Sequence, residues 1–544
     1  MGFERDIENM LGAHPGVRDN PGRRGLIGEA ISRREALLSE SGALATWTPP
    51  DSTGRRPQDT YIVDSPGVHE AVDWSSPYCH ALSPETMGML VRDALRELRK
   101  KERVYVTDRA LGADPNYALP VRTITDRALV ALFTDNMFCP LPRGIPVQAR
   151  FTLLVLPYDR LDPERYEGKL RFDPEAGRTS DVAVAMDFYR RIGVVYGSAY
   201  LGSVKKLMFT VMNWLLPEMG VLPLHCGASE GPEGDVALFL GLSGTGKTSL
   251  SSDPARRLIG DDEHGWTGEG IFNMEAGCYA KLIGLSREKE PDIWWAVMHR
   301  APPEEHGAIV ENAMIYPDGR FDFSDRRLTE NSRASYPLSF VRGAKLEGRG
   351  GHPRVIFFLT ADANGVLPPI ARLTKQQAML WFLMGYTSKL AGTETGVIEP
   401  VSTFSRFFGA PFMPRLPGVY AGMLGEFLDR YGARVYLVNT GWSGGPYGEG
   451  RRMDIRLTRS MVRAAISGAL EGAEVREDRR FHLLVPQRCP GVPEEILWPR
   501  DTWRDKSAYD RRADALAQEF RRHFELAFSG QAIDPKVAAQ CPGR

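Results

Sequence analysis

Residues 241–248 read Gly241-Leu242-Ser243-Gly244-Thr245-Gly246-Lys247-Thr248, and they match the phosphate-binding pattern G-x-x-x-x-G-K-[ST] in full. The apolar run 236–240 precedes the motif and predicts a strand, and residues 248–252 predict a short helix. In this arrangement glycines let backbone N–H groups turn toward phosphate oxygens. We expect Lys247 to put positive charge on the outer phosphates and the Thr248 hydroxyl to bind Mg²⁺. A glycine-rich turn with a chance Lys-Thr pair is the alternative, which the flanking segments disfavour.

A second apolar run ends in acidic residues. Residues 257–260 read Arg-Leu-Ile-Gly and are followed by Asp261 and Asp262. A strand with this pattern brings two carboxylates to its tip, where they can hold one metal each or share one. A solvated acidic turn is the alternative. Beside a complete phosphate-binding motif, the metal interpretation is favoured.

Further patterns predict an α/β protein with two domains. The apolar runs 355–359 and 435–438 resemble buried strands of a nucleotide-binding core. Helices are predicted after Ser83, over 205–216, and from a capping box at Thr374 to about residue 391, with Gly392 as its stop. The 544 residues exceed what one small core needs, and we predict a boundary near residue 220, giving domains 1–220 and 221–544. The first fifty residues predict either partly ordered wrapping or a loose arm.

Composition argues against several classes of partner. The 68 basic and 69 acidic residues give a formal net charge of −1, so nothing electrostatic favours nucleic acid or an anionic membrane. No apolar stretch approaches the roughly 20 residues of a membrane-spanning helix. The N-terminal residues lack the apolar core of a secretory signal. Six scattered cysteines favour a reduced, cytoplasmic compartment.

Larger segments carry a specific resemblance. Residues 241–266 read GLSGTGKTSLSSDPARRLIGDDEHGW, and this run resembles the ATP-dependent phosphoenolpyruvate carboxykinases. Similar segments follow in family order: 54–59, 205–206, 224–226, 277–281, 329–333, 360–369, 391–394 and 439–442. Relatives that use GTP carry a cysteine in the phosphate loop, whereas Ser243 and Thr245 stand here. The resemblance implies a two-domain α/β fold with a phosphate-loop nucleotide-binding C-terminal domain and an active-site cleft between the domains.

The resemblance also implies roles for individual residues. It implies Mn²⁺ ligands Lys206, His225 and Asp262, with Mg²⁺ on Thr248 accompanying ATP. It implies substrate contacts from Arg55, Tyr200, Lys206 and Arg333, and catalytic roles for Arg55, Lys206, Lys247, Arg333 and Ser243. Nucleotide contacts are implied for the whole loop 241–248 and for Lys281, Glu290, Arg333, Arg452, Met453 and Thr458. Without the resemblance, Lys206 reads as a solvated helix lysine and His225 as a core histidine.

The implied reaction converts oxaloacetate and ATP into phosphoenolpyruvate, CO₂ and ADP in gluconeogenesis, by a monomer or small homo-oligomer without nucleic-acid or membrane partners. Residues 391–396 are glycine-rich and are predicted to form a hinged lid. Ser203-Val204 replaces an acidic residue and a methionine that are common in the family. Three alternatives remain: another phosphate-loop kinase, a nucleotide-binding regulatory protein, and an ATPase module that acts on a partner.

Overall fold

A computed structural model describes residues 2–144, 150–389 and 400–544. Contacts divide this part of the chain into two units, the first formed by 1–219, 273–348 and 411–414 and the second by 220–272, 349–410 and 415–544. The sequence predicts a single domain boundary near residue 220, whereas residues 273–348 and 411–414 also belong to the first unit. Strand pairing holds residues 273–348 in the first unit, because the strand Ile309–Glu311 pairs in parallel with Leu44–Thr46 near the N-terminus.

Two mixed sheets organise the first unit. The larger sheet has the strand order Val17–Asp19, Val104–Leu111, Leu119–Thr125, Phe151–Leu156, Ile192–Tyr196, Ala183–Asp187, Thr60–Val63 and His80–Leu82. The smaller sheet has the order Gly277–Lys281, Arg333–Pro337, Ile309–Glu311, Leu44–Thr46 and Leu37–Leu38. Short paired strands outside these sheets are Phe172–Asp173 with Arg178–Thr179 and Met314–Ile315 with Phe321–Asp322.

The helices of the first unit cover its sheets. They are Gly2–Ala13, Arg23–Ser32, Pro84–Lys100, Ala128–Met137, Gly202–Leu215, Pro291–Met298 and Pro303–His306. The helix Pro84–Lys100 begins as predicted, with the Ser83 side chain accepting a hydrogen bond from the backbone N–H of Thr86. Its buried leucines and valine pack in one apolar cluster with the strand residues Leu154 and Val194. The first fifty residues contain two helices, so the ordered alternative of the prediction holds.

One twisted sheet organises the second unit. Its strand order is Arg349–Gly350, Gly270–Asn273, Glu263–Thr267, Leu222–Glu230, Val236–Leu240, Pro353–Thr360, Arg434–Asn439, Ile370–Leu373, Leu483–Pro486 and Val475–Asp478, with Arg257–Gly260 also pairing with Leu222–Glu230. Two hairpins lie outside it, Tyr386–Lys389 with Val401–Phe404 and Trp442–Ser443 with Arg451–Arg452. The predicted strands at 236–240, 257–259, 355–359 and 435–438 are confirmed.

The helices of the second unit are Lys247–Ser251, Lys375–Met384, Pro417–Tyr431, Ile455–Ile466, Glu494–Leu497, Pro499–Thr502, Lys506–Ala527 and Pro535–Ala538. The capping box at Thr374 and Gln377 is confirmed, but the predicted helix end near residue 391 is wrong. Gly385 ends the helix in the left-handed conformation, with φ of 55°. The predicted lid, residues 391–396, lies outside the described residues. In the described ranges, every helix is too short or too polar to cross a membrane.

Candidate active site

The glycine-rich loop 241–246 joins the end of one buried strand to the start of a helix. Val236–Leu240 is parallel to Pro353–Thr360, which is parallel to Arg434–Asn439, so the loops after these strands emerge at the same sheet edge. Gly244 and Gly246 have φ of 86° and 91°, a conformation that favours glycine. The sequence therefore folds locally as the motif predicts, with helix Lys247–Ser251 directly after the loop.

Residues far along the chain hold this loop in place. The buried Thr440 hydroxyl donates a hydrogen bond to the Thr245 carbonyl at 2.9 Å. The Arg452 guanidinium donates to the Gly244 carbonyl at 3.1 Å and to the Thr440 carbonyl at 3.3 Å. Arg452 thus lies against the phosphate loop, and its Cζ is 5.6 Å from the centre of the Trp442 ring.

Three of the predicted residues converge in the second unit. The Lys247 Nζ atom is 2.6 Å from Asp262 Oδ1 and 3.4 Å from His225 Nε2. His225 Nε2 is 3.0 Å from the same Asp262 oxygen. His225 lies on Leu222–Glu230, and Asp262 lies between the strands Arg257–Gly260 and Glu263–Thr267, both of which pair with that strand. An imidazole nitrogen and a carboxylate oxygen at one point, beside the phosphate loop, form a donor set that suits a divalent metal ion.

Arg55 and Lys206 line one pocket in the first unit. The pocket walls also include Thr60, Tyr78, Ser203 and Phe412. Arg55 Cζ lies 4.6 Å and Lys206 Nζ 4.7 Å from the centre of the Phe412 ring. Two cationic groups on one aromatic ring make this pocket suited to an anionic ligand such as a carboxylate. Lys206 is only half-buried, whereas the neighbouring Lys205 is buried and paired with Glu275.

Tyr200 belongs to a buried cluster in the same unit. Its ring centre is 5.9 Å from that of Tyr279, whose hydroxyl donates a hydrogen bond to the Glu311 carboxyl group. The other Glu311 oxygen accepts from the Leu201 backbone N–H at 3.1 Å. Burial raises the pKa of Glu311 to about 7, with the Tyr279 hydrogen bond opposing the shift. Glu311 thus fixes both the backbone beside Tyr200 and the ring that packs on it.

Lys281 ends one strand of this unit, and Arg333 begins the strand that pairs with it. Arg333 Nε donates to the Asn331 side-chain oxygen at 2.9 Å, and the Asn331 amide donates to the Thr53 carbonyl at 3.0 Å. Asn331 therefore connects Arg333 with the loop that carries Arg55. The pKa of Lys281 is lowered, first by burial and then by the charge of Arg333.

The other predicted residues have these positions. Ser243 is exposed on the phosphate loop, and Leu242 and Thr248 are half-buried. The Met453 N–H donates to the Gly441 carbonyl at 2.7 Å, and Thr458 is buried on the helix Ile455–Ile466. Glu290 precedes the helix Pro291–Met298, where its carbonyl accepts a hydrogen bond from Trp294.

Two residues of these clusters are missing from the sequence prediction. Phe412 and Glu311 read as ordinary apolar and acidic residues, and only their contacts with Lys206 and Tyr279 distinguish them. The run of nonpolar neighbours around Glu311, at 308–310, was the available signal that this carboxyl group is buried.

Fold and site define an α/β protein with a phosphate-binding motif between a buried strand and a helix. A sequence model of the family described as phosphoenolpyruvate carboxykinase matches residues 16–495. The chain is 50% identical over 523 residues to phosphoenolpyruvate carboxykinase (ATP) 1 of Moorella thermoacetica. The aligned residues cover 95% of this chain and 96% of the relative. Phosphoenolpyruvate carboxykinase (ATP) of Thermus thermophilus is 47% identical over 532 residues, or 96% and 97% of the two chains. The chain belongs to the phosphoenolpyruvate carboxykinase family.

Proposed function

We propose that this chain is a carboxy-lyase of gluconeogenesis that decarboxylates oxaloacetate and phosphorylates the product with ATP, giving phosphoenolpyruvate, CO₂ and ADP. The observation that carries the proposal is the convergence of Lys247, His225 and Asp262 beside the phosphate loop. It supplies a phosphate-binding cation and two metal donors at one place. Relatives named for this activity, with identities of 47–50%, support the same reaction.

The proposed metal ligands have suitable chemistry. We assign His225 and Asp262, together with Lys206, to Mn²⁺, and Thr248 to the Mg²⁺ that accompanies ATP. A lysine binds a metal only when it is neutral, so the bound metal has to stabilise the unprotonated amine. When bound, the Mn²⁺ supplies Lewis-acid stabilisation of the enolate that forms as CO₂ leaves.

The chain's own residues bind and orient the reactants. We assign Arg55 to a substrate carboxylate, because a planar guanidinium can donate two parallel hydrogen bonds to it. Tyr200 contacts the carboxylate that leaves as CO₂. Lys247 and Arg333 neutralise the phosphoryl group during its transfer to the enolate oxygen.

We further assign nucleotide contacts to loop 241–248, including Ser243, and to Lys281, Glu290, Arg452, Met453 and Thr458. The described residues include all six cysteines, each a buried thiol, which agrees with a cytoplasmic enzyme. The oligomeric state stays a prediction.

A kinase for another acid is the second candidate, because it also needs Lys247 and the acidic strand end. It gives no role to the pocket in which Arg55 and Lys206 share the Phe412 ring. A regulatory protein that has lost its chemistry would not need to keep these cationic groups together. The shared pocket therefore favours the carboxykinase over both.

The test is a coupled assay of the purified chain with phosphoenolpyruvate, bicarbonate and ADP, with and without Mn²⁺. Oxaloacetate is followed through its reduction to malate. We expect ADP-dependent turnover that Mn²⁺ stimulates and that Asp262→Asn abolishes, while the exposed control Asp429→Asn keeps it. Absence of turnover in a protein that still binds ATP would exclude the carboxykinase reaction and favour the other two candidates.

A further inference from the structure

Two consecutive phenylalanines adopt a backbone conformation that bulky residues rarely take. Phe407 and Phe408 have φ of 60° and 55°, both in the left-handed region. For side chains of this size the conformation is energetically costly, and it persists only where the surrounding structure enforces it. The two residues belong to a short turn, residues 405–409, which we call the Phe407–Phe408 turn.

The turn is held by its rings and by a close backbone contact. The Phe407 ring centre is 5.0 Å from that of Phe382 and 5.1 Å from that of Tyr420, and the Phe408 ring is 5.3 Å from Phe358. Both phenylalanines are buried. Ser405 N donates to the Gly385 carbonyl at 3.1 Å. The core of the second unit thus fixes the direction of each peptide group in the turn.

The fixed carbonyl of Phe408 accepts a hydrogen bond from His225 Nδ1, 183 positions away in the sequence. A carbonyl oxygen can only accept, so Nδ1 must carry the proton. In the neutral ring the lone pair is then on Nε2, the atom that lies 3.0 Å from Asp262 Oδ1. Gly409 also lies close to this residue, because a Cβ atom added there would be 3.1 Å from His225 Cβ and 3.4 Å from Nδ1.

We propose that the Phe407–Phe408 turn and Gly409 are a positioning element that sets the tautomer and ring orientation of His225 for metal binding. The inference rests on the proposed function for the identity of the metal, but its geometry lies within the second unit alone. Partners that orient a metal-binding histidine in this way commonly contribute tenfold to a hundredfold in metal affinity. The strained turn is retained, on this proposal, because a relaxed turn would direct the carbonyl away from Nδ1.

The first experiment replaces Gly409 by alanine. A Cβ atom at this position would press against His225, so the substitution disturbs the position of the ring. We expect Mn²⁺ affinity, measured by electron paramagnetic resonance without substrates, to fall about tenfold. The matched control is Gly422→Ala on the helix Pro417–Tyr431, where an added Cβ meets nothing within 4 Å. Its Mn²⁺ affinity should equal that of the wild type, and thermal unfolding shows whether each variant is folded.

The second experiment reads the tautomer directly, without metal or activity. In protein labelled with ¹⁵N-histidine, long-range ¹H–¹⁵N correlations report which ring nitrogen carries the proton, and His225→Gln identifies the signal. We expect a protonated Nδ1 in the wild type. An unprotonated Nδ1, or a Gly409→Ala variant whose Mn²⁺ affinity stays within twofold of the wild type, would overturn the proposal. Wild-type protein with a protonated Nδ1 but no Mn²⁺ binding would leave the positioning of His225 standing and refute the metal assignment instead.

Discussion

Lys281 and Arg333 occupy directly opposite positions on two antiparallel strands. Their side chains bring two cationic groups together, and the pKa of Lys281 is lowered by burial and by Arg333. Paired cations of this kind cost free energy unless an anion lies between them or near them. Both residues are assigned to the nucleotide, whose phosphates would further reduce this repulsion.

Replacing Arg333 by glutamine should raise the pKa of Lys281 toward its ordinary value, because the repulsive charge is removed while burial remains. The lysines are labelled by reductive methylation with ¹³C, and the pH dependence of the Lys281 methyl chemical shift in NMR spectra measures this pKa. Turnover should fall by at least about a hundredfold, since Arg333 is proposed to neutralise the phosphoryl group. Arg326→Gln, at an exposed site nearby, is the control that should keep most activity. An unchanged Lys281 pKa in Arg333→Gln would contradict the proposed electrostatic coupling.

Gly202→Ala should displace Tyr200. A Cβ atom at position 202 would lie 2.3 Å from the Tyr200 ring, a distance at which the ring has to move. If Tyr200 contacts the departing carboxylate, turnover should drop by about tenfold or more, because small misplacements at a reacting centre are costly. Steady-state kinetics measures the effect, with Gly28→Ala as a control because an added Cβ there meets nothing within 4 Å. Equal kinetic constants for both variants would show that Tyr200 takes no part in the reaction.

Thr440→Val should loosen the phosphate loop. The substitution keeps the shape of the side chain but removes the hydroxyl that donates to the carbonyls of Thr245 and Thr360 at 2.9 and 3.2 Å. We expect a loss of about 1–2 kcal/mol in the free energy of unfolding, since buried acceptors lose their donor. KM for ATP should rise while KM for oxaloacetate changes little. A rise in both KM values to the same extent would show that the hydroxyl does not act through the loop.

Glu311→Gln should change how stability depends on pH. The pKa of Glu311 is raised by burial from 4.5 to about 7, so its stabilising contribution is complete below pH 4.5 and is lost as pH rises through 7. Glutamine does not titrate. Between pH 5 and pH 8 the wild type should therefore lose roughly 2–3 kcal/mol of unfolding free energy relative to the variant. Denaturant unfolding at the two pH values measures the difference.

The control for this experiment is Glu167→Gln, which changes an exposed carboxyl group of the same unit. Its stability should follow the wild type at both pH values. If Glu311→Gln also runs parallel to the wild type, the carboxyl group is charged in the folded protein throughout this range, which contradicts its raised pKa.

Several secondary-structure elements are predictable from the sequence because local interactions determine them. The run 236–240 followed by the glycine-rich motif predicts a strand, loop and helix, and all three occur. Ser83 and Thr374 predict helix starts, because a side-chain oxygen satisfies a backbone N–H only two or three residues away. The sequence does not predict the helix end at Gly385, because the decisive contact is distant: a Cβ there would lie 1.7 Å from the Ser405 carbonyl oxygen.

The sequence by itself determined the family, the phosphate-binding motif and four strands of the second unit, since each depends on residue types at short spacing. Only the tertiary structure decided which distant groups meet. It brought the Phe408 carbonyl to His225, Phe412 to Lys206, and residues 273–348 back to the first unit. These contacts arise from the packing of whole strands and helices, in which many weak apolar contacts are optimised together. No local sequence pattern predicts which distant residues come into contact.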